Sequence, residues 1–185
     1  MVVEIADRIE MKLSDALSLI RIIPDYPKPG VLFQDITPVL RDPSAFNTVV
    51  RELAKFDPES TVIAGIEARG FIFASAIAVA KESGFVPIRK KGKLPYQTYG
   101  KQYGLEYGVD EIEIHVDAFA SGAKVLLVDD VLATGGTLVA AIELVKEAGG
   151  LVTDIAVLSE ITFLGGRARI AAHSPEIRVH ALVSG

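Results

Sequence analysis

Two adjacent carboxylates, Asp129 and Asp130, stand between an unbroken apolar run at 125–128 and the small polar turn Ala133-Thr134-Gly135-Gly136-Thr137. The apolar run has the length and β-branching of a strand buried on both faces. After the turn, Leu138, Ala141, Ile142, Val145 and Ala148 recur at helical spacing, and Gly149-Gly150 stops them. Such a strand–turn–helix places chemistry at a helix amino terminus, where free N–H groups and the helix dipole favour a phosphate. Gly135 and Gly136 let the backbone turn and approach a ligand, Thr134 and Thr137 add hydroxyl donors, and Thr137 is placed to cap the helix. Carboxylates repel that phosphate, but they accept hydrogen bonds from sugar hydroxyls or hold a hydrated magnesium ion. A ribose 5-phosphate suits both halves. A small-residue connection is the plainer reading of Thr-Gly-Gly-Thr alone; strand, acid pair and turn together argue for a site. No Lys follows the glycines, and Gly-x-Gly-x-x-Gly is absent, so neither nucleotide loop is present here.

Two further strand ends carry charge. The apolar segment 61–66 ends in Glu67-Ala68-Arg69-Gly70, ahead of a helix at 71–82. The segment 85–88 ends in Arg89-Lys90-Lys91-Gly92-Lys93. Arginine at a strand end beside a glycine is well placed for an anion. Lys90 and Lys91 read as solvated.

Composition sets the outer limits. The 185 residues suit one domain, and half are apolar. The net charge of −5 with mixed signs argues against a general nucleic-acid binder. No cysteine is present, which removes disulfides and thiolate chemistry. The first residues lack a basic start and a long apolar run, and the longest apolar run, 71–80, is half of the ~20 residues a membrane helix needs. A cytoplasmic protein without membrane contact is the expectation. His115, His173 and His180 share no ligand-like spacing, so no protein metal site is assigned.

Short apolar strands alternate with amphipathic helices, which predicts an α/β fold with a mostly parallel central sheet flanked by helices. Residues 4–23 read as an amphipathic helix, interrupted near Ser14. The proline-rich 24–30 follows as a turning connection, and a helix is expected from Ser44 to about 56. The segment 94–107, punctuated by Gly100 and Gly104, reads as a long hairpin or a mobile lid. Residues 112–116 alternate as a strand with Glu113 on its polar face. Strands are expected at 152–158 and 178–183, with a short helix at 166–172.

The segment 128–137, Val-Asp-Asp-Val-Leu-Ala-Thr-Gly-Gly-Thr, resembles the phosphoribosyl-diphosphate (PRPP) motif of type I phosphoribosyltransferases. Residues 26–40, Tyr-Pro-Lys-Pro-Gly-Val-Leu-Phe-Gln-Asp-Ile-Thr-Pro-Val-Leu, are similar to the base-binding segment of adenine phosphoribosyltransferases, and Leu105-Glu106-Tyr107 matches their lid motif. The likeness runs from about 22 to 162 with the motifs in order. It implies a single domain, with residues 1–39 as an N-terminal helix and hood, 40–185 as the PRPP core, and a lid at about 93–108. By the resemblance, Asp129 and Asp130 meet the ribose hydroxyls, and Ala133, Thr134, Gly135, Gly136 and Thr137 hold the 5-phosphate. Glu67, Ala68, Arg69, Arg89 and Lys93 meet the pyrophosphate, with a loop at 67–68 that often carries a cis peptide. Phe33 stacks on the purine, Val31 and Gln34 read its edge, Glu106 handles its proton, and Tyr107 helps to close the site. Many relatives have Arg where this chain has Gln34, a neutral donor and acceptor. The implied reaction joins adenine to PRPP, giving AMP and pyrophosphate. Mg²⁺ is held mainly through PRPP, and the enzyme is a homodimer. An enzyme for hypoxanthine, guanine or xanthine is the nearest alternative. A PRPP-sensing regulator is further off, since no length or basic helix is left for a DNA-binding module.

Overall fold

The computed structural model describes residues 11–105 and 108–185. The chain forms two compact units, Met1–Glu52 and Leu53–Gly185.

In the first unit, helix α1 (Leu13–Ser18) is followed by an antiparallel pair, β1 (Arg21–Pro24) and β2 (Leu32–Asp35). The expected helix therefore stops short. Ile22 and Ile23 are β-branched, and Ile23 precedes a proline, which drives the backbone into the extended region. The connection contains a cis Tyr26–Pro27 bond, and Asp25 Oδ1 accepts from Gly30 N at 2.8 Å. Phe33 pairs in register with Ile23, and Tyr26 meets its ring edge-on at 5.1 Å. A short helix α2 (Thr37–Arg41) intervenes before α3 (Pro43–Ala54). Asp42 starts α3 by accepting from the amides of Ser44 at 2.9 Å and Ala45 at 2.8 Å, as a capping carboxylate does.

The second unit is built on β3 (Val62–Ile66), α4 (Gly70–Ala80), β4 (Gly84–Lys90), β5 (Thr98–Leu105), β6 (Gly108–His115), β7 (Ala123–Leu132), α5 (Gly136–Glu147), β8 (Gly150–Glu160), α6 (Gly166–His173) and β9 (Arg178–Ser184). Seven strands form one sheet in the order β5-β6-β4-β3-β7-β8-β9. From β4 to β9 the pairing is parallel; β5 and β6 add an antiparallel hairpin at one edge. The middle stretches of the central strands, 63–66, 125–128 and 155–158, are apolar apart from Gly65 because both of their faces are covered. Ile63, Leu126, Leu127 and Ile155 are fully buried.

The topology locates a crevice before any side chain is considered. From β3 the chain crosses over through α4 to β4 on one side. From β7 it proceeds through α5 and α6 to β8 and β9 on the other. The direction of winding reverses between β3 and β7, and ligands of open α/β sheets bind at the carboxyl ends of such neighbours.

Candidate active site

β3 and β7 run side by side up to the pair Gly65↔Val128. Beyond it β7 continues, paired only with β8, through Asp129↔Val157 to Leu132↔Glu160. The sequence suggested that the strand ends at residue 128. It runs four residues further because β8 supplies partners on one side, and the side facing β3 lies open just where the two acids stand.

Three chain segments meet there. After β3 come Glu67, Ala68 and Arg69, with a cis peptide between Glu67 and Ala68. Arg69 turns towards β7, its Nη2 lying 2.5 Å from Asp130 Oδ2. Gly70, the first residue of α4, has no room for a side chain: a Cβ would stand 2.9 Å from both Asp129 Oδ1 and the Val128 carbonyl oxygen. The start of α4 thus rests on the acid pair. Asp130 N donates to Asp129 Oδ1 at 2.8 Å. Asp129 keeps some exposed surface as a residue, but its carboxyl is packed against this backbone. Burial, and then the neighbouring charge of Asp130, push it well above the usual carboxylate range. Burial also raises Asp130, with Arg69 opposing.

Beside them, β4 brings in Arg89. Its guanidinium reaches Glu67 through Nε at 3.1 Å and Nη2 at 3.2 Å, and its Nη1 donates to the Lys93 carbonyl at 3.0 Å. Glu67 also accepts from Lys90 N at 3.1 Å. The hydrogen bonds from Arg89 hold its carboxyl below the usual range. Lys93 is exposed. The turn that carries it is fixed by Glu113, whose Oε1 accepts from the amides of Lys93 at 3.0 Å and Leu94 at 2.9 Å. Glu113 is therefore a buried turn holder, not the solvated strand residue its alternation suggested. Lys90 likewise differs from the solvated reading: it donates to Tyr103 Oη at 2.8 Å and is paired with Asp110. These cross-strand partners lie 13 and 20 residues away, and local sequence carries no signal for them.

Past β7, the turn at 133–135 leads into α5. The N-cap is Gly135, with φ +76° and no side-chain cap, so Thr137 lies inside the first turn instead of capping it. The turn is backed by main chain: a Cβ on Gly135 would meet the Gly166 carbonyl oxygen at 2.8 Å. The first turn of α5 presents main-chain N–H groups of the kind that bind anions, and the Gly104 carbonyl oxygen lies beside it, 3.1 Å from a Cβ built on Gly136.

Of the expected base contacts, Val31, Phe33 and Gln34 lie on or beside β2 in the first unit. Glu106 and Tyr107 lie outside the described residues. The hairpin that leads to them is in place as β5 and β6, paired from Thr98↔His115 to Leu105↔Gly108.

Comparison with known proteins agrees with this arrangement. A family model described as the phosphoribosyl transferase domain matches residues 40–162. The adenine phosphoribosyltransferase of Thermobifida fusca (strain YX) is 51% identical over 166 residues, covering 89% of this chain and 93% of the relative. The crystal structure of adenine phosphoribosyltransferase from Thermoanaerobacter pseudethanolicus superposes with a TM-score of 0.88 at 45% identity, over 94% of this chain and all of that one. The enzyme from Saccharomyces cerevisiae, solved with an imino-altritol bisphosphate and adenine, gives 0.85 at 35% identity over 92% and 97% of the two chains. A domain model matching residues 40–162 and a relative half identical along nearly its whole length settle the family: this chain belongs to the adenine phosphoribosyltransferases.

Proposed function

We propose that the chain transfers the 5-phosphoribosyl group of PRPP to adenine, giving AMP and pyrophosphate in purine salvage. The observation that carries this reading is the gathering of Arg69, Asp129, Asp130 and the amino end of α5 after the carboxyl ends of β3 and β7.

In this reading, Asp129 and Asp130 accept hydrogen bonds from the ribose hydroxyls. The backbone from Ala133 to Thr137 cradles the 5-phosphate. Arg69, Arg89, Lys93 and the main chain at Glu67 and Ala68 receive the pyrophosphate. The bond from the anomeric carbon to pyrophosphate breaks, and its electron pair leaves with the pyrophosphate. A purine nitrogen forms the new bond and gives its proton to Glu106. Val31, Phe33 and Gln34 orient the base, and Tyr107 helps to keep water from the cationic centre.

Magnesium fits the donor set in a limited way. Among the described residues no group of three acids or histidines is arranged around one point. Asp129 and Asp130 would add carboxylate oxygens, directly or through water, to an ion held mainly by the substrate. Such an ion would offset the charge that develops on pyrophosphate.

A homodimer belongs to the same proposal. α4 is apolar on its outer side as well as its inner one: Val79 is 80% exposed, Ile72 36%, and nearby Phe85 37%. A helix apolar all round calls for cover. A Val79→Asp variant is expected to shift sedimentation from dimer towards monomer. No helix among the described residues is long and apolar enough to cross a membrane, and a cytoplasmic location completes the reading.

The test is product formation from PRPP, Mg²⁺ and each purine base in turn. AMP from adenine alone is expected. Product from an oxopurine instead would move the base assignment, and bound PRPP without product from any base would point to a regulator. Glu106→Gln is expected to lower kcat by roughly 10²–10⁴-fold, the usual share of general acid–base catalysis. An unchanged kcat would remove Glu106 from that role.

A further inference from the structure

The first turn of α5 has a neighbour that no motif predicts. A Cβ built on Gly136 would lie 3.3 Å from Arg169 Nη1 and 3.7 Å from Arg169 Cζ. The guanidinium is therefore stationed over the backbone that opens α5. It is brought there by α6, whose first residue, Gly166, is packed so tightly on the 133–135 turn that a Cβ would overlap the Ala133 carbonyl oxygen. Arg169 stands three residues further along α6.

Two facts set this arginine apart. The first is its freedom from acids. Arg167, two residues earlier on the same helix, is engaged with Glu160 through Nε at 3.0 Å and Nη2 at 2.5 Å, and donates to the Val179 carbonyl. Arg169 has no ion pair or side-chain hydrogen bond among the described residues. The second is the sign of what it faces. The start of a helix carries a positive partial charge, which disfavours an adjacent cation. The α5 terminus, the abutting α6 terminus and an unpaired guanidinium gather one sign of charge around one turn. The Gly104 carbonyl oxygen lies beside the same point, 3.1 Å from the Cβ built on Gly136, and an anion at the turn would balance the remaining positive charge.

We propose that Arg169 is a further substrate-positioning residue, donating to the 5-phosphate of the phosphoribosyl group at the first turn of α5. This rests on the reading of residues 133–137 as the 5-phosphate loop. The phosphate then has main-chain donors along the turn and a charged donor from α6. The acids Asp129 and Asp130 are left to the sugar hydroxyls, and Arg69 and Arg89 to the pyrophosphate.

The test uses full-length Arg169→Gln and Arg169→Lys with two competitive probes, ribose 5-phosphate and pyrophosphate. Arg169 is exposed on its helix, so both variants should fold, which a thermal melt checks. For Arg169→Gln, ribose 5-phosphate inhibition should weaken about tenfold, the size of a charge-assisted hydrogen bond. The KM for PRPP should rise more than kcat falls, pyrophosphate inhibition should hold, and Arg169→Lys should recover most of the loss. A merely structural role would move both probes together. Thr137→Val separates the two readings. If it weakens ribose 5-phosphate and Arg169→Gln does not, the loop reading stands and Arg169 is a surface residue. If neither variant affects that probe, the loop reading falls and this proposal with it.

Discussion

The two ends of the parallel sheet are both charged, and they use charge in opposite ways. At the amino end, Asp154 is 0% exposed and every oxygen has a dedicated donor: Arg178 Nε at 2.9 Å, Arg178 Nη2 at 2.8 Å and His180 Nε2 at 2.7 Å. His180 is itself held by stacking on Phe56 at 4.5 Å. Thr153 Oγ1 donates to Asp57 at 2.5 Å on the same side. At the carboxyl end, two like charges occupy successive residues, share one arginine, and are pushed towards their neutral forms by burial. A closed cluster, in which each acid is satisfied, serves the fold. An open one, in which two like charges lie side by side against one arginine, is in the proposed function the receiver of sugar hydroxyls. Acid count alone does not separate the two; the pairing of each acid with its own cation does.

The sharpest way to break this comparison is to neutralise the open pair. Asp129→Asn with Asp130→Asn should lower kcat/KM for PRPP by roughly 10²–10³-fold, from the loss of hydrogen bonds to charged acceptors, without lowering the melting temperature. A large loss of stability would place the pair with the structural cluster instead. The converse variant, Asp154→Ala, should cost about 2–4 kcal/mol in urea unfolding, near the lower range for a broken buried pair because its partners Arg178 and His180 keep contact with water. Its kcat/KM should be unchanged where the protein is folded.

A pH series sharpens the contrast. The pair's folded pKa values are raised, so the folded state binds more protons than the unfolded chain, whose aspartates titrate near ~4. The pair's contribution to stability therefore declines as pH rises from that value through the raised ones. The Asn double variant should gain on the parent over that window and lose its advantage at lower pH, as urea midpoints will show. Binding has the reverse sign. Hydroxyls favour the ionised acids, so kcat/KM for PRPP should fall as pH drops through the raised values, and the pair's acid limb should vanish in the double variant. The smallest effect is expected at the exposed pair of Lys124 and Glu59 at the amino end, 2.5 Å apart. Glu59→Gln should leave both the urea midpoint and the kinetics where they were.

Much of this was readable before the structure. The strands expected at 61–66, 85–88, 152–158 and 178–183 appear as β3, β4, β8 and β9, and the helix after the glycine turn as α5. Continuous apolar runs are strong signals because a doubly covered strand has no polar face. The helical spacing through Ile20 carries the expected helix to residue 23; pairing with β2 makes 21–24 a strand instead. Residues 129–132 looked like the end of β7 because acids usually leave a sheet, whereas β8 carries them onward. In the candidate site, the sequence singles out the acids, the turn and Arg69 because their pattern is local. It does not single out Glu113 or Arg169: each lies against a backbone segment brought near only by the fold.

The close packing at Gly135 and Gly166 also has a consequence for how this protein can vary. Behind Gly135 the nearest atoms are the Gly166 main chain, and facing Gly166 are the Ala133 carbonyl oxygen, the Gly135 nitrogen and Leu132 Cδ1. A saturation library would therefore divide sharply. Thr134 is exposed and should accept exchanges with graded losses. Gly135 and Gly166 should accept none, since even alanine needs two stretches of main chain to separate. Sequence drift in the anion cradle is thus steered into its side chains, while its shape is inherited through atoms that substitution does not change.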